Sequence, residues 1–314
     1  MHHARVNKRI WSIVLAGGEG ERVRPFIWRW LGKSLPKQYC TFVGTRSMFQ
    51  HTLDRAGRLV GPKRTITVIA RAHQREAWSQ LGESYAGTVI LQPSNRNTAA
   101  GIFLPLTYIR AHDSEATAVI YPSDHFVHPE DSFIDVVERA VWAAEWMADR
   151  IILLGVEPDG WELDYGWIQP GETLAWAAGH RVRGVQAFIE KPTSMEAAMA
   201  MGTGALWNTL VLAAKVETLW KLGWRYFPEM MPLFERLGSA IGTPQEGTLL
   251  DSVYQEMPAR DFSADLLQRA ADHTAVIELS GVHWSDWGRS ERIADTLRRI
   301  GKQPAFPLEC LATA

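Results

Sequence analysis

Residues 10–25 read IWSIVLAGGEGERVRP, and the reading of this stretch decides the fold class. Its first half is a short β-branched and apolar run, suited to a strand buried on both faces. Gly17, Gly18 and Gly20 follow at once. They let the chain turn tightly and bring backbone N–H groups close to a phosphate or a base. The spacing is not that of a P-loop, because no Gly-Lys-Ser/Thr closes it, and it is not G-x-G-x-x-G. Taken alone the cluster is as readily an ordinary tight turn. Arg22, directly behind it, favours an anion. Lys37, in LPKQY, would by itself read as a surface lysine.

A leader peptide is not expected from the same run. It follows Lys8 and Arg9, but it is barely long enough and leads straight into Glu19, Glu21, Arg22 and Arg24. A membrane span is not expected either, for no run of about 18 uninterrupted apolar residues exists.

Working outward, further strands are expected at 65–70, 88–91, 116–121 and 151–156, with helices near 47–60, 73–82, 97–112 and 131–148. In the last of these, Phe133, Val136, Val137, Ala140, Val141 and Ala144 recur at steps of three and four, which makes one buried face. Strand–helix alternation with fully apolar strands predicts an α/β fold, a Rossmann-like, mostly parallel sheet covered by helices on both faces. A strand at 186–190, a helix at 194–201, a strand at 206–214 and a last amphipathic helix through Ile293, Leu297 and Ile300 complete the pattern. Residues 1–232 are expected to form the α/β domain. Residues 233–314 are expected to be a mainly helical segment that returns Asp286 to the site.

The 314 residues carry 33 Lys and Arg against 35 Asp and Glu, a net charge of −2, so bulk attraction to nucleic acid is excluded. The charge is uneven. Residues 1–46 hold nine basic and two acidic residues, a balance of +7. Next to a glycine cluster, that excess points to a small phosphate-rich partner. The two cysteines, Cys40 and Cys310, exclude a disulfide scaffold and a cysteine-rich zinc site, and fit a reducing cytoplasm.

Ligands of such sheets sit at the carboxyl ends of the strands, so the segments after each strand matter most. After the third strand, LQPSNRNTAAG (91–101) holds Gln92 and Asn97, whose amides donate and accept together and suit a base edge. Ser94, Asn95, Asn97 and Thr98 equally read as caps of the next helix. After the fourth, IYPSDHF (120–126) places Asp124 where a triphosphate-bound metal needs an oxygen ligand, though a lone Asp there is also a common turn residue. His125 and His128 are too loosely spaced for a zinc site. Glu190 and Lys191 end the strand of QAFIEKP, Asn208 interrupts the apolar LWNTLVLAA and needs a partner there, and Asp286 lies between two tryptophans in VHWSDWG.

In this order, from about Ile13 to Gly288, the segments resemble the sugar-1-phosphate nucleotidyltransferases, and most closely the mannose-1-phosphate guanylyltransferase (GDP-mannose pyrophosphorylase) group. The resemblance rests on LAGGEGERVRP, PKQ, PSNRNTA, PSDH, DYGWI, FIEKP, Trp207-Asn208 and WSDWG. It implies the nucleotide-diphospho-sugar transferase type of fold. It implies joining of GTP to a hexose-1-phosphate, most readily mannose-1-phosphate, by Mg²⁺-assisted in-line attack on the α-phosphorus. Gly17, Gly18 and the Gln92–Thr98 segment, with Asn97, would hold the nucleotide. Arg22 and Lys37 would stabilise the departing pyrophosphate. Asp124 and Asp286 would hold the metal. Gly166, Glu190, Lys191 and Asn208 would grip the sugar phosphate, with Lys191 also neutralising the nucleophile.

A thymidylyl- or uridylyl-transferase and a non-catalytic nucleotide-sugar-binding regulator stand as alternatives. RNTA favours guanine, while Gln92-Pro93 occurs in the other groups too. The mannose-type W-N-S-G-M reads here WNTLV, with Leu210 in the glycine position, which leaves the identity of the hexose open. The short tail after WSDWG is expected to make the chain monofunctional, and relatives suggest a homodimer. Of the 14 tryptophans, Trp167, Trp207, Trp284 and Trp287 fall in the motifs and are expected to wall a hexose. Trp11, Trp142, Trp146 and Trp220 are expected in the core.

Overall fold

Ile13 and Val14, neighbours on the first strand, are both fully buried and belong to two different apolar clusters. Adjacent strand residues point to opposite faces, so this strand is covered on both sides and must lie inside a sheet. The computed structural model, which describes residues 9–83 and 85–311, places it there.

The first half of the chain comprises β1 (Ile10–Ala16), α1 (Arg24–Leu31), α2 (Met48–Leu59), β2 (Thr65–Ala70), α3 (Gln74–Leu81), β3 (Thr88–Gln92), α4 (Asn97–His112), β4 (Thr117–Pro122), β5 (Phe126–His128), α5 (Glu130–Trp146) and β6 (Ile151–Val156). There follow β7 (Gly166–Ala177), β8 (His180–Glu190), α6 (Ser194–Gly202), β9 (Leu206–Lys215), α7 (Val216–Tyr226), α8 (Met231–Gly238), α9 (Glu246–Glu256), β10 (Thr274–Glu278), β11 (His283–Ser285) and α10 (Ser290–Arg299). The expected strands and helices form within two residues of their expected bounds, except that the strand expected at 186–190 begins six residues earlier, at His180. Helix α1 was not read from the pattern. Pro25 at its first turn and Gly32, left-handed just past its end, set its limits.

Nine strands form one sheet in the order β3-β2-β1-β4-β9-β6-β10-β8-β7, and β8 and β9 run against the other seven. The sheet is therefore mostly parallel, as expected. Helices α4, α7, α8 and α9 bury one face, and α2, α3, α5 and α6 the other. On α5 the large buried side chains Phe133, Val136, Val137 and Val141 each contribute about 1.5–3 kcal/mol of burial. A third, smaller cluster joins Phe26 and Ile27 of α1 to Phe42, Trp287, and Ile293 and Leu297 of α10.

Two features place the site. Strand β9 pairs with β4 over Leu212–Lys215 but with β7 at Leu206 and Trp207, so β4 and β7 part company along one edge of β9. The carboxyl end of β4 is thereby freed from β9 after Ile120, while it stays paired to β1 as far as Pro122. Second, β5 and β11 form a separate antiparallel ribbon, with Phe126 opposite Ser285 and His128 opposite His283.

The C-terminal segment does not stand apart from the main sheet. Strand β10 inserts between β6 and β8 in the main sheet, so 233–314 supplies part of the core. Trp142 and Trp146 are not core residues either: they stack on each other at 5.8 Å, 47% and 61% exposed. They lie one turn apart on the side of α5 opposite its apolar face, where the sheet cannot reach them. Trp220 is buried as expected. No helix among the described residues is long and apolar enough to cross a membrane.

Candidate active site

The loop after β1 runs over the PKQ segment. Gly20 takes a left-handed φ of 60°, and a side chain there would strike Lys37 Cβ at 2.8 Å. The close passage lets Gln38 hold the glycine loop by its main chain: Nε2 donates to the carbonyls of Gly18 at 2.8 Å and Ala16 at 3.1 Å. Tyr39 adds a hydrogen bond to Ala16 O. The sequence reading assigned Gln38 no role. A buried polar residue flanked by Lys37 and a buried tyrosine was the only available signal.

Lys37 is 3% exposed. Its ammonium lies 2.8 Å from Asp124 Oδ2 and donates to the main-chain carbonyl of Asp286. A buried ammonium is stable only with such partners. Arg22 Nη2 reaches Asp286 Oδ2 at 2.6 Å, and its Nη1 reaches Asp164 at 2.8 Å. Arg22, Lys37, Asp124 and Asp286 are thus brought together. The reason is the ribbon: Asp124 lies just before β5 and Asp286 just after β11, and antiparallel pairing sets those two ends side by side.

Burial opposes ionisation of Asp124, yet the Lys37 ammonium, His125 and hydrogen bonds hold its pKa down at about 2. Asp286 is likewise held below the usual carboxylate range, against burial, by Lys37, Tyr165, the Gly288 N–H and Arg22. Tyr165 donates its hydroxyl to Asp286 Oδ1. The Asp164 oxygen that Arg22 reaches, Oδ2, is also paired with Arg289 at 3.1 Å. Asp164, Tyr165 and Arg289 belong to the site's surroundings and were missed, because only the fold brings DYGWI against WSDWG. Gly288 is required here: a Cβ would meet both Arg22 Nη2 and Asp286 Oδ2 at 2.6 Å.

The residues read as sugar-phosphate ligands form an adjoining group. Gly166 lies opposite Glu190 in the β7–β8 ladder, and a Cβ on it would meet Glu190 Oε2 at 2.7 Å. Burial, with Asp261, pushes Glu190 up to about 7 against the pull of Lys191. The Lys191 N–H donates to Tyr165 O, and its exposed ammonium lies 4.0 Å from Glu190. Asn208 Oδ1 accepts from Leu210 N–H, which satisfies the polar atom the apolar run had to account for.

On the nucleotide side, Gly17 and Gln92 adjoin, with a Cβ at Gly17 3.0 Å from Gln92 Oε1, and both line a cleft at the ends of β1, β2 and β3. Asn97 and Thr98 do not line it. Asn97 Oδ1 accepts from its neighbour Thr98 N–H, and Thr98 Oγ1 accepts from Phe262 N–H at 2.7 Å, which ties the start of α4 to residues 260–262.

Five non-glycine residues have left-handed φ among the described residues, and four of them, Asn97, Lys191, Leu210 and Trp287, fall in the motifs. Each costs of order 1–3 kcal/mol, and such strain collects at functional sites. Leu210, at φ 55°, adopts a glycine-like conformation while its side chain packs against the core. The motif tryptophans present almost no exposed surface. Trp167, Trp207, Trp284 and Trp287 are all buried, in edge-to-face contact with Tyr165 or one another, or, for Trp287, stacked on Phe126 at 4.3 Å. Their rings stiffen the motifs from behind.

Among the described residues no group of three or more His, Cys, Asp or Glu could hold a metal. A hard divalent cation asks less of the protein, commonly one or two carboxylates plus substrate phosphates. Asp124 and Asp286 meet that need: both are ionised, and a cationic ammonium already stands between Asp124 and the Asp286 main chain.

The sequence profile described as "Nucleotidyl transferase" matches residues 11–303. The mannose-1-phosphate guanylyltransferase of Escherichia coli K12 is 27% identical over 89% of this chain and 58% of its own length. The xanthan biosynthesis protein XanB of Xanthomonas campestris is 26% identical over 92% of the chain and 60% of its own. The chain thus spans about three fifths of these relatives. A Thermus thermophilus crystal structure described as mannose-1-phosphate geranyltransferase aligns over 94% of the chain and 80% of its own, at 25% identity and a TM-score of 0.76.

Proposed function

The chain belongs to the nucleotidyl transferase family, and from that premise we propose that it joins a nucleoside triphosphate, GTP by preference, to a hexose-1-phosphate, mannose-1-phosphate by preference, releasing pyrophosphate. The observation that carries this reading is the convergence of Arg22 and Lys37 on Asp124 and Asp286 at the freed end of β4. Two fixed cations beside two ionised carboxylates suit a reaction whose catalysis is positioning and charge neutralisation.

The oxygen of the sugar phosphate attacks the α-phosphorus, the bond to the bridging oxygen of the β-phosphate breaks, and pyrophosphate leaves with the electron pair. Arg22 and Lys37 offset the charge that develops on the leaving group, and Lys191 the charge of the attacking phosphate. Glu190, opposite Gly166, accepts from sugar hydroxyls, and Asn208 holds the left-handed residue Leu210 of β9 through its N–H. Gly17, Gly18 and Gln92 receive the nucleotide, with Gln38 fixing the loop. Asp124 and Asp286 would hold a Mg²⁺ ion, which when bound supplies positive charge shared by the phosphates. Asn97 and Thr98 act indirectly, by fixing the start of α4.

The test is pyrophosphate release by the purified chain over four NTPs and several hexose-1-phosphates with Mg²⁺. Turnover is expected with GTP and mannose-1-phosphate and is expected to vanish in Asp124→Ala. Binding of GTP or GDP-mannose without release from any pair would overturn the catalytic reading. The preference of the relatives named as mannose-1-phosphate guanylyltransferases supports the choice of pair.

A further inference from the structure

Against the β5–β11 ribbon lies a second cavity of about 280 Å³. Its apolar walls are Phe42, Phe126 and Trp287, the last two stacked. Three permanent cations line it, Arg46, Arg55 and Lys302, against one carboxylate, Glu130. That carboxylate is already shared: Arg55 reaches it at 3.1 Å and His51 at 3.6 Å. Arg46 is balanced from behind by Asp54 at 2.7 Å. Lys302 forms no ion pair among the described residues, and His128 stands beside it in the wall. The ring nitrogens His125 Nδ1 and Trp287 Nε1, on two of the lining residues, are buried with no hydrogen-bond partner among the described residues.

We propose that this cavity is a second ligand site, for a small phosphomonoester, and that its occupancy is transmitted to the two carboxylates. The charge argument selects the class. The lining carries more cation than it neutralises, and a phosphomonoester near pH 7 brings about −1.5 to −2 charges on a compact head. The aromatic walls accept the apolar face of an organic body, which inorganic phosphate lacks. The route of transmission is covalent: Asp124 adjoins His125 and Phe126, and Asp286 adjoins Trp287. A ligand pressed on the Phe126–Trp287 stack therefore loads the ribbon whose ends carry both carboxylates.

The probe is ribose 5-phosphate, titrated calorimetrically into the full chain, with inorganic phosphate and free ribose as comparison arms. Ribose 5-phosphate is expected to bind, inorganic phosphate to bind more weakly, and ribose not to bind. Lys302→Glu and, separately, Arg46→Ala are expected to weaken binding about tenfold or more. Lys302 and Arg46 are exposed, and an unchanged thermal midpoint in either variant shows that it folds. Lys191→Ala, in the proposed sugar site, is expected to leave the affinity unchanged. Absence of binding at 10 mM (a ceiling of roughly this order marks a site too weak to matter), or binding lost in Lys191→Ala but kept in both cavity variants, overturns the proposal.

The second arm rests on the nucleotidyltransferase reading. Ribose 5-phosphate is expected to change KM for GTP in the unsubstituted chain and not in Lys302→Glu. An unchanged KM overturns the transmission. Binding needs no turnover, so a failure of the catalytic reading is seen separately.

Discussion

The Lys37–Asp124 pair is the contact on which the candidate site turns, and a double-mutant cycle tests it. In Lys37→Met the ammonium is lost at similar volume. Asp124 keeps its charge, and Asp286 loses a donor to its main-chain carbonyl. Breaking a fully buried ion pair costs about 3–5 kcal/mol, most of it the orphaned charge. Here the Asp124 side chain is 34% exposed and can recover some water, which moves its share towards the lower end, about 2–3 kcal/mol. The lost hydrogen bond to the carbonyl adds about 1 kcal/mol. Asp124→Asn strands the more deeply buried ammonium and is expected to cost a similar amount. The double variant strands neither charge, so its cost should fall short of the sum by about 2 kcal/mol. Urea unfolding followed by tryptophan fluorescence gives all three values. Mg²⁺ is expected to restore more stability to Lys37→Met than to the unsubstituted chain, because the Asp124 carboxylate is then free for it. Additivity within about 0.5 kcal/mol would refute the reasoning, since the two groups would not then be sharing one site.

Gly288→Ala places a methyl group on Arg22 and Asp286; pyrophosphate release is expected to fall about 100-fold while the unfolding midpoint moves little, because Arg22 is half exposed and can swing away. A large loss of stability with activity intact would contradict this. Thr98→Val leaves the Phe262 N–H unpaired and should cost about 1–3 kcal/mol in urea unfolding without changing KM for GTP; a raised KM alone would instead make Thr98 a nucleotide contact. Glu190 has a folded-state pKa raised to about 7. The folded state therefore holds a proton that the unfolded chain releases near 4.5, and stability should decline as pH rises from about 4.5 to about 7. Glu190→Gln should flatten that slope in unfolding measured across this window, and an unaltered slope would show that another group titrates there.

Much of the fold was legible because its signals are local. Strands β1, β2 and β6 end where their apolar runs end, and α5 shows its periodicity over four turns or more. Trp142 and Trp146 could also have been placed correctly, since the apolar face of α5 was already known and both fall opposite it. The ribbon strands β5 and β11 could not. Three residues each carry no usable periodicity, and their pairing is decided by the chain between them. Gln38, Asp164 and Tyr165 were missed for a related reason. Each is a polar residue whose partner lies in another motif, and a single sequence gives no sign of who that partner is. Thr98 shows the converse: its type suited a base or a cap, and its hydroxyl accepts from the distant Phe262 N–H, a partner neither reading named.

By itself, then, the sequence determined a mostly parallel α/β sheet, a glycine loop after its first strand, and an excess of positive charge around that loop. These follow from short-range sterics, from burial periodicity and from counting. The tertiary structure alone decided that Asp124 and Asp286 share one ammonium, that β9 exchanges β4 for β7 and frees the end of β4, and that β10 completes the sheet from the C-terminal segment. Those outcomes depend on which distant surfaces find each other, and that is a property of packing and of charge pairing at a few ångströms.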